Sequence, residues 1–381
     1  MSRRWELDAL RGLMLVMMTL THLPTRFSNW FGQPFGFVSA AEGFVLLSAF
    51  MAGSVYTRRA LQQGVPAMRQ AFLLRALKLY GCQLGILVFV FAVIAKIGVS
   101  LEQPAITNML SFYLREPFTA VWSGVALIYS PPLVDILPVY VVFMLASPWM
   151  LTIGLRRGWT PIMIASTALW FLAQFDLTRF LYDGVVAVTG FKVPFDQTGS
   201  FHILAWQFIW ILGLWMGSNS ASARDRDAGT GFPQRLVTIA GTIALVAFMW
   251  RHSVGQIPFG SFDALNLLFD KWHLGPLRLI NLFALLIVTL HFGPRLKSAL
   301  RCRLLETVGA ASLPVFCAHL VIVLLVLAFI GDQRGEIPLW ADVAIVGASF
   351  AALYAVACIA NPPQEGGVLN KERAINAHAA R

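Results

Sequence analysis

The chain has 381 residues, of which 57% are apolar and only 13% charged, and it carries a net charge of +10; an ordinary soluble chain has about 25% charged residues. This apolar excess is more than a folded interior absorbs, which excludes a soluble enzyme, a disordered protein and a disulfide-stapled secreted domain, and it predicts an all-α, polytopic integral membrane protein. The basic balance reads as membrane topology and gives no support to nucleic-acid binding, and the scattered Cys82, Cys302, Cys317 and Cys358 have neither disulfide-framework nor metal-ligand spacing, so no metal site is expected.

A helix needs about 17 to 25 residues to cross the hydrocarbon. In chain order ten stretches qualify: 8–24, 37–57, 72–98, 131–155, 159–175, 200–217, 236–251, 274–292, 308–330 and 339–360. The apolar run 106–130 is interrupted by Arg115, Glu116 and Pro117 and reads as an interfacial or re-entrant segment. With the N-terminus in the cytoplasm, the inner ends and loops collect 20 of the 29 Lys and Arg residues, which leaves the inside at +13 and the outside at −3. Ten spans with both termini cytoplasmic satisfy the positive-inside rule. Arg3 and Arg4 ahead of the first apolar run imitate a signal peptide, but Leu23-Pro24-Thr25-Arg26 lacks the small-residue cleavage pattern, so the run reads as an uncleaved span. Residues 1–360 read as a single membrane domain, and 361–381, with paired prolines and Gly366-Gly367, as a disordered cytoplasmic tail.

Ionisable side chains inside such a chain are costly and mark functional sites by default. In the first span Arg11 and His22 are eleven residues apart, within about 20° of three full turns, so both project from one face at a separation of about 16 Å along the axis. Asp8 is placed to neutralise Arg11 or to accompany it. A histidine can take and return a proton near neutral pH, which acyl transfer to a hydroxyl requires of its base. Glu42, early in the second span, reaches the depth of His22 and is placed either to orient and charge-stabilise that imidazole or to tie two helices together. Further polar groups gather at the outer ends of later spans: Asp135 and Tyr140, then His202, Trp206 and Gln207, then Asp270, Lys271, His273, Arg278 and Asn281. Of these, Asp135, Tyr140, Trp206, Gln207, Asp270, Lys271 and Arg278 are candidates to bind a polar acceptor. His319 reads either as a pore-lining group or as a helix-packing hydrogen bond. Nucleophile-elbow, Walker, dinucleotide and zinc-protease motifs are all absent from the sequence.

The run Leu7-Asp8-Ala9-Leu10-Arg11-Gly12, then His22-Leu23-Pro24 and Gly36-Phe37-Val38-Ser39-Ala40-Ala41-Glu42-Gly43-Phe44-Val45, resembles the OpgC family, the osmoregulated periplasmic glucan succinyltransferases. The likeness continues in Asp135-Ile136-Leu137-Pro138-Val139-Tyr140, Ala205-Trp206-Gln207, Asp270-Lys271, Leu274-Gly275-Pro276-Leu277-Arg278 and Ser312-Leu313-Pro314-Val315-Phe316, and so covers most of the chain in a consistent order. Two departures stand out: Thr21 where the family often has Asp, and Ser48-Ala49 where it tends to Ser-Gly. The resemblance implies a membrane acyltransferase of the bacterial inner membrane, with a cytoplasmic succinyl-CoA-like acyl-CoA as donor substrate and no permanently bound cofactor. It further implies a periplasmic glucan or polysaccharide hydroxyl as acceptor, His22 as catalytic base and Arg11 on the donor path. Arg58, Arg59, Arg69, Arg75 and Lys78, basic residues at the inner face, are candidates to attract the CoA phosphates. A transporter or flippase, or a non-catalytic subunit of a polysaccharide-secretion system, would carry the same polar residues without the chemistry.

Overall fold

The computed structural model describes residues 5–222, 232–296 and 301–361. The expected tail beyond Asn361, and Arg3, Arg4, Arg224, Arg226, Lys297, Lys371, Arg373 and Arg381, lie outside the described residues.

Among the described residues all regular structure is helical. Helix α1, Trp5–His22, has Glu6 and Asp8 in its first turn and His22 in its last, charges that suit the helix dipole at each end. Helix α2, Ala40–Phe89, starts at a capping box in which Ser39 and Glu42 satisfy each other's backbone amides. It runs on through a π-turn, Val90–Ile94, into Ala95–Ser100. Inside it Gly64 has φ +87°, and Pro66 follows; glycine tolerates that conformation where other residues do not. The rings of Tyr56 and Phe72 lie 3.9 Å apart, whereas sixteen residues of straight helix would separate them by about 24 Å. The chain therefore doubles back at Gly64. The expected stretches 37–57 and 72–98 are two antiparallel arms of one broken helix, with no loop between them.

The run 106–130 forms three short helices, Pro104–Met109, Ser111–Arg115 and Pro117–Val125, broken at Leu110 and Glu116. No one of them is long enough to cross a bilayer. There follow α3, Ile136–Arg157; α4, Thr160–Ala173; α5, Leu177–Thr189; α6, Ile203–Ser222; α7, Gln234–Val254; α8, Pro276–Leu296; α9, Arg303–Ala310; α10, Ser312–Ile330; and α11, Leu339–Ala360. Helices α4 and α5 meet at 80°, with Asp176 in the left-handed region at the corner.

Six of the described helices are long and apolar enough to cross a membrane, or up to seven when the bent α4–α5 pair is taken as one span. The figure falls below ten for physical reasons. Ala40–Ser100 counts once but holds two of the expected stretches; α1 carries Glu6, Asp8 and Arg11; and α6 dilutes its apolar run with tryptophans and a polar end, Ser218-Asn219-Ser220.

The helices come together through small residues. On the α2–α6 contact, Gly53 faces the Leu214 backbone, Gly213 faces Ala49 and Leu46, and Gly217 faces the Phe50 carbonyl. On the α1–α9 contact, Gly12 faces the Leu305 carbonyl and Gly309 the Asp8 carbonyl. A Cβ at any of these glycines has no room, so α1 is held backbone to backbone against α9 while its other faces meet α2 and α10.

Candidate functional site

Two polar contacts tie α1 to α10. Near the start of both helices the Arg11 guanidinium donates to the Ser312 hydroxyl. Higher up, His22 Nδ1 lies 3.0 Å from His319 Nε2, with the two rings stacked at 5.2 Å between centroids and 25° between planes. From Arg11 to His22 α1 climbs about 16 Å, and from Ser312 to His319 α10 climbs about 10 Å, a difference the long Arg11 side chain can span. His319 is 0% exposed, which removes the pore-lining reading and leaves the helix-packing one. His22 is half-buried, and its Nε2 takes no hydrogen bond from any described residue.

A narrow cavity of about 160 Å³ opens beside the lower contact, lined among others by Arg75, Tyr56, Arg11, Tyr140, Ser312 and Phe316. Its upper wall is aromatic: Tyr140 packs on Phe44, Phe44 on Phe316, and Phe316 lies 5.5 Å from the His319 ring. Of the basic residues expected near the donor, Arg11 and Arg75 line this space. Arg59 points to solvent and bonds Gln63, and Arg69 and Lys78 are also exposed. Asp8 is buried where α1 meets Gly309. Tyr140, expected among acceptor groups, stands instead with Arg11 in this cavity, because it is five residues down α3 from Asp135 and faces α2.

The expected pairing of Glu42 with His22 does not form. The Glu42 carboxylate takes the Arg278 Nε–H on one oxygen and the Ser39 amide and hydroxyl on the other; Glu42 is 0% and Arg278 1% exposed. The sequence already carries the signal, since Ser39-x-x-Glu42 ahead of an apolar run is a capping box and draws the carboxylate back to the helix start. Arg278 also donates to the Phe269 carbonyl at 3.0 Å, and Asn281, one turn on, accepts the Phe37 amide at 2.9 Å. Half-buried Lys271 lies over the faces of Trp272 at 4.6 Å and Phe201 at 5.9 Å. Burial pulls its ammonium below the usual lysine value, with Arg278 adding to the effect and the carboxylates of Glu42, Asp135 and Asp270 opposing it.

A family model described as OpgC protein matches residues 3–364. The chain belongs to the OpgC family. No curated protein and no solved structure matches it. Family membership points to a membrane protein that is a glucan-modifying acyltransferase in general terms.

In this OpgC chain the segments that carry the family likeness meet in space. Leu7 to Leu23 supplies Arg11 and His22, Ser312 to Phe316 supplies the partner of Arg11 and the wall below His319, and Glu42 meets Arg278. Thr21, at one departure, bonds the Met17 and Phe31 carbonyls, and Ala49, at the other, sits against Gly213, where the small residue across the contact makes room for the extra methyl. Two expected acceptor groups are occupied in packing. Trp206 is fully buried with its indole N–H on the Trp272 carbonyl at 3.0 Å, and Gln207 is engaged with Ser166 and the Leu204 carbonyl. Asp135, also buried, accepts the Ser200 amide at 2.9 Å and edges a mostly apolar cavity of about 460 Å³ beside α5.

In the segment ahead of α8, His273 bonds Asp270 through Nδ1 at 2.8 Å, faces Asp176 across 3.4 Å and stands edge-on to His202 with 3.9 Å between centroids. The Asp270 hydrogen bond lifts the His273 imidazole above its ordinary 6.5 in spite of burial. A group raised on folding stabilises fully below its unfolded value and loses that contribution as pH climbs through the folded one. The bracket between the α4–α5 corner and the segment before α8 is therefore expected to loosen as pH rises past 6.5. Hydrogen exchange at residues 174–177 and 270–275 should show this against a His273→Gln protein, in which the pH-dependent part is lost.

Proposed function

We propose that this protein transfers an acyl group, succinyl by its family likeness, from a CoA thioester on the cytoplasmic side to hydroxyls of a periplasmic glucan. In this reading it is a multi-pass protein of the bacterial inner membrane with ten spans and both termini inside. The observation that carries it is the cavity from Arg75 past Arg11 and Ser312 to Phe316, whose ring lies 5.5 Å from that of His319, the partner of His22. Its small volume suits the slender pantetheine arm, while the adenine and phosphates stay at the inner face near Arg58, Arg59 and Arg75. His22 Nε2 takes the proton of the acceptor hydroxyl, the oxygen attacks the thioester carbonyl, the C–S bond breaks and the thiolate leaves with that proton. Lys271, Asp135, Asp270 and Arg278, at the outer ends of their helices, stand on the acceptor's side.

The test is mass spectrometry of extracytoplasmic glucans from cells with and without the protein, together with thiol release from succinyl-CoA by protein in nanodiscs. Loss of glucan succinylation without the protein supports the reading, whereas export of unmodified glucan as the sole change would make it a transporter. Arg11→Lys should lower kcat/KM for the donor by roughly ten- to a hundredfold, the worth of a hydrogen bond to a charged group, because an ammonium cannot reproduce the guanidinium fork. Unchanged turnover and CoA affinity would remove Arg11 from the donor path.

A further inference from the structure

We infer that His319 is a positioning residue: it holds His22 in the tautomer whose Nε2 bears a lone pair. The inference rests on the reading of His22 as base and deepens it. Two imidazoles 3.0 Å apart between Nδ1 of one and Nε2 of the other share a single proton along that line. If His22 Nδ1 carries it, His22 Nε2 is free to accept; if His319 Nε2 carries it, His22 Nε2 is an N–H and useless as a base.

The surroundings of His319 select the first arrangement. Its Nδ1 is buried and makes no hydrogen bond to any described group, so what it faces is the backbone of its own helix. Within a helix the amides are spent on the ladder, while each carbonyl retains a lone pair. Facing carbonyl oxygens, Nδ1 is less unfavourable as an N–H than as a bare lone pair, which leaves His319 Nε2 as the acceptor. The complete burial of His319 and the stacking of the rings hold the His319 ring against His22.

The arrangement does the work a carboxylate does for a catalytic histidine, without burying a second charge beside it. When His22 takes the acceptor's proton it becomes a cation, and its Nδ1–H bond to neutral His319 becomes charge-assisted and stronger. The proton then leaves from Nε2 with the CoA thiolate, and both imidazoles return to their starting tautomers. No oxidant, metal or further base enters. Glu42, which is locked to Arg278, is not needed for this role.

The experiment compares wild type, His319→Gln, His319→Leu and His319→Met in nanodiscs, with succinyl-CoA as donor and a linear β-glucan as acceptor. The Gln carbonyl can accept from His22 Nδ1–H; Leu and Met cannot. Leu and Met are expected to lose roughly 10²-fold in kcat with donor KM within about twofold, and Gln to recover to within about tenfold of wild type. In ¹⁵N-histidine spectra, with His22 assigned by its absence from His22→Ala, His22 should carry its proton on Nδ1 in wild type and Gln and shift toward Nε2–H in Met. Wild-type kcat in Leu or Met, Gln no better than Met, or an unaltered His22 tautomer would each overturn the inference. An active His22→Ala protein would instead overturn the catalytic reading on which it stands, so the two failures are distinct.

Discussion

His22→Ala should abolish glucan acylation while the protein still accumulates in the membrane. A general base contributes about 10² to 10⁴ in rate, and on the proposed reading no second base can replace His22: His319 is sealed in the interior, and His202 and His273 stand against each other, with His273 bonded to Asp270. The substitution also strips His319 Nε2 of its partner, which costs about 1 to 3 kcal/mol for a buried polar group. His22→Gln is therefore the control, since its amide N–H can still reach His319 although it cannot act as a base. Both should bind CoA with wild-type affinity, because the donor's charged end lies at the other end of the cavity. Normal succinylation by well-expressed His22→Ala protein would end the catalytic proposal.

Much of the helix pattern was legible, because a 20-residue apolar run has few alternatives. The eleven-residue step from Arg11 to His22 correctly put both on one face, as their contacts with a single neighbouring helix require. What spacing could not supply was the identity of the partners. Glu42 was within reach of His22 by depth, while His319 was read only as a pore-lining group or a helix-packing hydrogen bond; which of them meets His22 depends on how α1, α2 and α10 rotate about their axes, a matter settled by close contacts such as Gly12 on Leu305 and Gly43 on Met14. Trp206 and Gln207 show a related limit. Their composition suits sugar binding, but burial and hydrogen bonds to Trp272 and Ser166 assign them to packing. Their neighbour Trp210 follows the same rule, its indole held by Ser147.

The second large effect concerns Glu42 and Arg278, whose charges are both removed from solvent. Breaking a buried pair by neutralising one member leaves the other charge uncompensated and costs about 3 to 5 kcal/mol. Glu42→Gln should therefore lower the thermal midpoint in detergent sharply, although the amide still serves the Ser39 capping box. Arg278→Met should do the same through the stranded carboxylate and the unpartnered Phe269 carbonyl. Replacing both at once, Glu42→Gln with Arg278→Met, removes both charges, and buried pairs exchanged for neutral groups of similar volume are often neutral to stability. The double variant should recover most of the lost midpoint. Its acylation rate then separates two roles: recovered stability with recovered turnover makes the pair a structural clasp between the start of α2 and α8, whereas recovered stability with turnover still down a hundredfold would mean that the Glu42 charge acts on the reaction itself. The first outcome is expected, because neither carboxylate oxygen faces His22 and Arg278 accounts for one of them while the helix start accounts for the other.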